Sequence, residues 1–421
     1  MDKREFLKNS SILGLGSLLT FPALEKLVRS VEHKSSLELA SDDQFWLEIR
    51  KAYKLKPEYI NLENGYYCIQ PEEILEAYIK HVKDVNLQGA YYMRTVQYDN
   101  KKAVTQKLAD LAGCTPDELI ITRNTTESLD MIIGGLNWQA GDEAVMAEHD
   151  YGAMLDMFNQ VGKRYGVVNK IVSVPLNPRT DEEIVSVYEK ALTEKTKLLM
   201  ICHMINITGQ ILPVKKICDM AHKKGVQVMV DGAHAFAHID FKIPDLNCDY
   251  YGASLHKWLS VPLGAGLLYV RKDNISKVWP LLAESERPEE DISRLNHTGT
   301  IPVHTDLAIV NAMEFYNKIG AKRKEDRLRY LQNYWVKPAR AIPNVILNTP
   351  SDTTRSCGIA NVGIKGMKPS VMAERLLKEH KIYTVAIDSK GVQGCRITPN
   401  VYTTTAELDE LIKALKILSK V

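Results

Sequence analysis

Val226-Gln-Val-Met-Val-Asp231-Gly-Ala-His234, then Asp249-Tyr-Tyr-Gly-Ala-Ser254-Leu-His256-Lys257-Trp, then Pro262-Leu-Gly-Ala-Gly266, is the stretch that decides how this chain folds. Val226 to Val230 is apolar and β-branched with little polar relief and no Gly or Pro. That is the pattern of a strand buried on both faces, as in a helix-covered parallel sheet. Asp231 then stands at the strand's carboxyl end, the edge where open α/β sheets bind ligands. Tyr250 to Ser254 reads as a second strand end that delivers Ser254, His256 and Lys257 to a turn. Taken alone, Asp231 is a helix cap and Lys257 a surface charge. The ordered set of Asp, His, Ser, His and Lys makes those bland readings poor ones.

A desolvated lysine, or one beside other cations, has a lowered pKa and forms a Schiff base with an aldehyde. A carboxylate against a pyridine nitrogen keeps that nitrogen protonated and makes the ring a better electron sink. These are the two protein functions that a pyridoxal 5'-phosphate (PLP) site needs.

With these residues in this order, the sequence resembles the class V aminotransferases among the fold-type I PLP enzymes, within them the isopenicillin N epimerase-like branch. The resemblance runs from about Tyr59 to the C-terminus. It implies an α/β fold: a large domain with a mostly parallel seven-stranded sheet, and a smaller C-terminal α+β domain. It also implies a division into a signal-like segment or arm (1–40), a segment packing with the small domain (41–75), a large PLP-binding domain (76–305) and a small domain (306–421). By resemblance Asp231 pairs with the pyridinium nitrogen and Lys257 is the Schiff-base lysine. Ala233 packs on the ring, and His234 bonds the cofactor's phenolic oxygen or phosphate. Ser254 and His256 bind phosphate.

Further motifs follow in the family's order. Glu118-Leu-Ile-Ile-Thr122-Arg-Asn124-Thr125-Thr126-Glu127 reads as strand, turn and helix, with Asn124 as N-cap and Glu127 closing a capping box. A helix N-terminus also binds phosphate, and the resemblance assigns that task to Thr125 and Thr126. At the next strand end, Glu148-His149-Asp150-Tyr151, an aromatic ring stacks on the pyridine. His149 is the candidate and Tyr151 the alternative. Asn206, in Asn206-Ile-Thr208-Gly209, matches the family residue that approaches the cofactor, although Ile205 departs from the pattern before it. Asn296-His297-Thr298-Gly299-Thr300 is similar to a segment that reaches into the partner subunit's site. Thr300 is thereby a phosphate ligand in trans, and the implied assembly is a homodimer. Glu63-Asn64-Gly65 is similar to a turn entering the active site, which places Asn64 near substrate. The plain reading is a tight turn with Gly65 at positive φ. Tyr91-Tyr-Met-Arg94 is a connection that either lines a pocket or packs in the core. Gly394-Cys395-Arg396-Ile-Thr-Pro399-Asn400-Val-Tyr402 resembles the family's carboxylate-binding motif, and a planar guanidinium at Arg396 suits an α-carboxylate.

Composition narrows the class. The 421 residues are 45% hydrophobic and 25% charged with a formal net charge of +2, an ordinary globular balance without a nucleic-acid footprint. Seven cysteines show neither CxxC nor metal spacing, so neither a disulfide framework nor a metal site is expected. Near the start, Lys3-Arg4-Glu-Phe6-Leu7-Lys8 precedes an apolar run from Ile12 to Phe21 broken by Gly14 and Gly16. The run is too short to span a bilayer, so stable membrane insertion is not expected. It resembles a twin-arginine export signal with Lys3 in the first arginine's place. That implies export to the periplasm, with an amphipathic arm on a cytoplasmic protein as the alternative.

The expected activity starts by deprotonating Cα of an amino acid. Epimerisation and transamination are the leading outcomes, and a lyase such as a cysteine desulfurase is the alternative. Ile382 to Gly391 contains no cysteine, which counts against sulfur transfer. A binding protein on a retained PLP fold is the non-enzyme alternative.

Overall fold

The structure is a computed structural model that describes residues 21–420. The signal-like motif and nearly all of its apolar run lie outside the described residues. Among the described residues, no helix is long and apolar enough to cross a membrane.

Strand β1 (Ile60–Asn61) is followed by seven strands that form one sheet: β2 (Leu119–Thr122), β3 (Glu143–Ala147), β4 (Val168–Val172), β5 (Thr196–Cys202), β6 (Gln227–Asp231), β7 (Tyr250–Ser254) and β8 (Gly266–Val270). Their order is β2-β8-β7-β6-β5-β3-β4, and β8 alone runs antiparallel to its neighbours. The carboxyl ends of β2, β3, β5, β6 and β7 therefore share one edge with the start of β8. β2, β3 and β7 are buried throughout and β5 and β6 nearly so, as their apolar runs require of a doubly covered sheet. Two apolar clusters supply the cover, one containing Val228, Val230 and Tyr251, the other Met229 and Tyr250. Alternate residues of one strand thus feed alternate cores.

A second sheet has the antiparallel order β12-β13-β10-β9, from β9 (Val345–Leu347), β10 (Ala360–Ile364), β12 (Val385–Ser389) and β13 (Val392–Ile397). Its own apolar cluster includes Val362, Cys395, Ile397, Leu408 and Leu411. Between the sheets in sequence run the Val303–Ile319 and Ala321–Ala339 helices, broken at Gly320 with φ of 93°. The N-terminal part is tied to the C-terminal part of the chain. β1 pairs with β11 (Ile382–Tyr383), and the buried Arg327 donates to the carbonyls of Ala40 and Thr403.

Local chemistry explains the helix starts. Asp42 caps the Asp43–Arg50 helix by accepting from the Phe45 N–H at 3.1 Å, and Phe45, Trp46 and Ile49 form its buried face. Two expectations need correction. Tyr92–Val96 is a π-helical turn running into the Gln97–Ala112 helix, with Tyr92 buried, not an irregular connection. Asn124 does cap the Thr125–Gly135 helix, but Glu127 closes no reciprocal box. Its carboxylate instead accepts from the Arg123 N–H at 2.6 Å and from the Arg123 guanidinium.

Candidate active site

At the shared strand edge lies a cavity of about 400 Å³, lined on its sheet side by Thr125, Thr126, Asp231, Ser254, His256 and Lys257. Each is placed by a strand end: Asp231 is the last residue of β6, Ser254 the last of β7, and Thr125 follows the β2 turn. Gly266 at the start of β8 lets this edge close, because a Cβ there would stand 2.7 Å from the Asn124 Cα. Asn206 follows β5, and Arg396 enters from β13 of the other sheet.

Lys257 sits among hydrogen-bonding groups that select its neutral form. The Trp258 Nε1–H donates to His234 Nδ1 at 3.4 Å, and His234 Nε2 lies 3.0 Å from Lys257 Nζ. An indole nitrogen can only donate, so His234 Nδ1 is the acceptor and the imidazole proton belongs on Nε2. That N–H then points at the lone pair of an uncharged lysine. Desolvation agrees: it pushes the Lys257 amine down to about 8, with Asp231 pulling up and Arg396 pushing further down. Burial, with Lys257 next, holds His234 well below the usual imidazole range. Asp231 is buried, and burial raises its pKa against the opposing effects of the Ala233 N–H, 3.0 Å from Oδ1, and of Lys257.

The residues fit PLP. Ser254 Oγ accepts from the Thr125 N–H at 2.9 Å and lies 2.7 Å from Thr125 Oγ1, which draws two strand ends into one cradle at a helix N-terminus. His256 Nδ1 is buried without a protein partner, and its imidazole is pushed down to about 4 by burial and by Lys257. A phosphate in this cradle would supply the missing partner. Asp231 offers a buried carboxylate that would pair with a pyridine nitrogen. Among the described residues, no group of three or more His, Cys, Asp or Glu is arranged to hold a metal ion.

Arg396 is clamped. Its Nε donates to Glu63 Oε2 at 3.2 Å, its Nη2 donates to Glu63 Oε1, and its Nη1 reaches the Asn206 carbonyl at 3.3 Å. Gly65 does not take positive φ. Its lack of a side chain matters because a Cβ would stand 2.7 Å from the Arg396 Cζ. The expected turn glycine is thus a contact glycine.

Two proposed residues lie elsewhere. His149 is buried outside the cavity lining, its Nε2 3.1 Å from the Lys390 carbonyl, whereas Tyr151 does line the cavity. Asn64 is fully buried and bonds the Thr398 carbonyl at 2.7 Å, so it holds the Gly65 turn and does not face the cavity. Thr300, expected at a partner subunit's site, is exposed and lies apart from this chain's own lining. Conversely, Tyr66, Arg123, Cys202, Met204 and Leu263 line the cavity without having been assigned there. Glu63 stood next to Asn64 in the quoted turn, but its partner is 333 residues away and no local pattern announces the pair.

The profile of the family described as Aminotransferase class-V matches residues 68–411. The chain belongs to the class-V aminotransferase family. The chain is 26% identical to an isopenicillin N epimerase of Streptomyces clavuligerus, over 89% of this chain and 98% of that one. It is 28% identical to a probable cysteine desulfurase of Halalkalibacterium halodurans, over 82% and 86%. Among solved structures, the apo cysteine desulfurase from Thermococcus onnurineus NA1 superposes with a TM-score of 0.79 at 21% identity, covering 89% of this chain and 98% of that one. This class-V family member is a PLP-dependent enzyme acting on amino acids, and its sheet order and second antiparallel sheet are those of the fold-type I architecture.

Proposed function

We propose that this enzyme removes the Cα proton of an α-amino acid held by its carboxylate on Arg396, with epimerisation or transamination as the outcome. The observation that carries the reading is the convergence on one cavity of Lys257 and Asp231 from one sheet and Arg396 from the other. Bound PLP supplies an aldehyde for the amino group and a pyridine ring that delocalises the charge left on Cα. Asp231 would hold the ring nitrogen's proton, and the Thr125–Ser254 cradle with His256 would hold the phosphate. Arg396 fixes the carboxylate, which orients the Cα–H bond toward Lys257. Lys257, neutral near pH 8, is suited to accept that proton.

Sulfur transfer finds less support. A nucleophilic thiol needs a low pKa and access. Among the described cysteines, Cys68, Cys357 and Cys395 are buried and pushed up to about 12, and Cys202, which lines the cavity, is raised well above the thiol range by burial. We also propose a homodimer. The exposed Thr300 suits a site in a partner subunit, and Trp279, Leu281 and Leu282 are exposed apolar residues that a second copy would cover.

Arg396→Ala tests the carboxylate assignment. Cofactor loading should survive, since Arg396 makes none of the cofactor contacts, and amino-acid affinity should fall by at least tenfold, because a hydrogen bond to a charged group contributes about 1.5–3 kcal/mol. Titration of the cofactor's visible band with amino acids reads both. Unchanged affinity would remove Arg396 from the site.

A further inference from the structure

We propose that Glu63 is the positioning residue for the substrate's carboxylate anchor: it holds the rear edge of the Arg396 guanidinium so that the Nη1–Nη2 edge faces the cavity. The proposal rests on the reading of Arg396 as that anchor. An arginine guanidinium has two two-point hydrogen-bonding edges, Nε–Nη2 and Nη1–Nη2, and an unclamped one turns about the end of a flexible chain. Here the Nε–Nη2 edge is taken by Glu63 in a two-point pair, Nε to Oε2 at 3.2 Å and Nη2 to Oε1. One face is covered by Gly65, where an added Cβ would lie within 2.7 to 3.0 Å of Cζ, Nη2 and Nε together. Nη1 is steadied by the Asn206 carbonyl at 3.3 Å.

Glu63 lies behind the anchor and does not compete with the substrate. Arg396, Gly65 and Asn206 line the cavity, and Glu63 does not. Both members of the pair are buried, with side chains 8% and 5% exposed, so the arrangement is a dry, fixed fork. Glu63 is itself locked, because its Oε1 also accepts from the Tyr66 N–H at 2.9 Å. A substrate carboxylate therefore meets a pre-aimed edge, and orientation is the quantity that sets reaction rate once binding is complete.

Glu63 also offsets the charge of Arg396. Arg396 pushes the Lys257 nitrogen toward its neutral form. The Glu63 carboxylate opposes that push, so its loss should lower the pH midpoint of any protonation at this nitrogen.

The test uses holoenzyme and glycine, whose missing side chain lets it enter whatever side-chain pocket exists. Two quantities are read: the pH midpoint of the cofactor's visible band without substrate, and the rate of glycine Cα–H exchange in heavy water at saturation. Glu63→Gln should lower the midpoint and slow saturated exchange at least tenfold. Glu63→Asp keeps the charge but is one methylene short, so it should keep the midpoint and still slow exchange. It also carries the test if the Gln variant does not fold. With Arg396→Ala in place, Glu63→Gln should slow exchange no further. A midpoint and rate both unchanged in Glu63→Gln would overturn the proposal, as would an equal further slowing in the Arg396→Ala background. Failure of the anchor reading looks different, because Arg396→Ala itself would then leave glycine affinity unchanged.

Discussion

Two desolvated lysines meet at the same short turn. Lys257 opens onto the cavity beside His234. Lys324, on the Ala321–Ala339 helix, is 6% exposed; its Nζ donates to the backbone carbonyl of Trp258 and lies 5.4 Å from the centre of the Tyr316 ring. Desolvation pushes both amines down to about 8. The shared value teaches that a depressed lysine pKa does not make a nucleophile. Lys257 is the only lysine lining the cavity among the described residues, and its amine, held beside His234, borders space that a substrate can enter. Lys324 spends its donors on a carbonyl and an aromatic face, so the same desolvation serves only to brace the turn that carries Lys257.

The sharpest way to break this contrast is Lys257→Ala. Borohydride reduction followed by mass spectrometry should find the cofactor on Lys257 in the wild type and on no residue in the variant. Label on Lys324 would erase the distinction. Next in size is Asp231→Asn. It should still attach the cofactor, since lysine and phosphate cradle remain, but Cα–H exchange should fall by orders of magnitude, at about 1.4 kcal/mol for each factor of ten. Exchange at the wild-type rate would dissolve the assignment of the β6 end.

A smaller effect follows from the Lys257 pKa of about 8. Only the neutral amine attacks an aldehyde, so uptake of PLP by apoenzyme should accelerate about tenfold per pH unit below that value and level off above it. Uptake that keeps accelerating toward the ordinary lysine range would show that the amine is not depressed. Lys324→Met should change glycine exchange least, within about threefold, since the residue touches neither cofactor nor substrate. Its signature is in stability. Lys324 is penalised for its charge in the fold and not in the unfolded chain, so below pH 8 the fold bears the full penalty. As pH rises from about 8 toward 10.5, the folded lysine is neutral while the unfolded one still binds its proton, and stability rises. Denaturant titrations should show wild type gaining on Lys324→Met across that window by up to about 3 kcal/mol. Parallel curves would mean that Lys324 is not buried as a charge.

Much of this was readable in the sequence because the cofactor seat is built from strand ends. A buried strand ending in a polar residue carries its own signal, and β6, β7 and the β2 turn each did, which located Asp231, Ser254 and Lys257. Other features left no such trace. Lys324 sits in Lys322-Arg-Lys-Glu-Asp326, which reads as a solvated helix face, yet tertiary packing buries it. His149 and Tyr151 are two residues apart after β3, and only the loop's path decides which faces the cavity. Gly65 looked like a turn glycine because the need for contact with a distant side chain is invisible locally. Glu63 and Arg396 are paired by the meeting of chain ends, which no window of sequence contains.

That pairing also orders events in time. The cofactor seat draws on 119–266, whereas the grip on substrate closes a separation of 333 residues. Contacts across long separations cost more loop entropy and form late. During refolding with PLP present, the visible band of the attached cofactor should therefore appear before the protein can respond to glycine, and simultaneous appearance in rapid-mixing absorbance would contradict this order. On this order, a chain caught between the two events would already hold the aldehyde on Lys257 while recognising no amino acid, and the chemistry would stay silent until its selectivity exists.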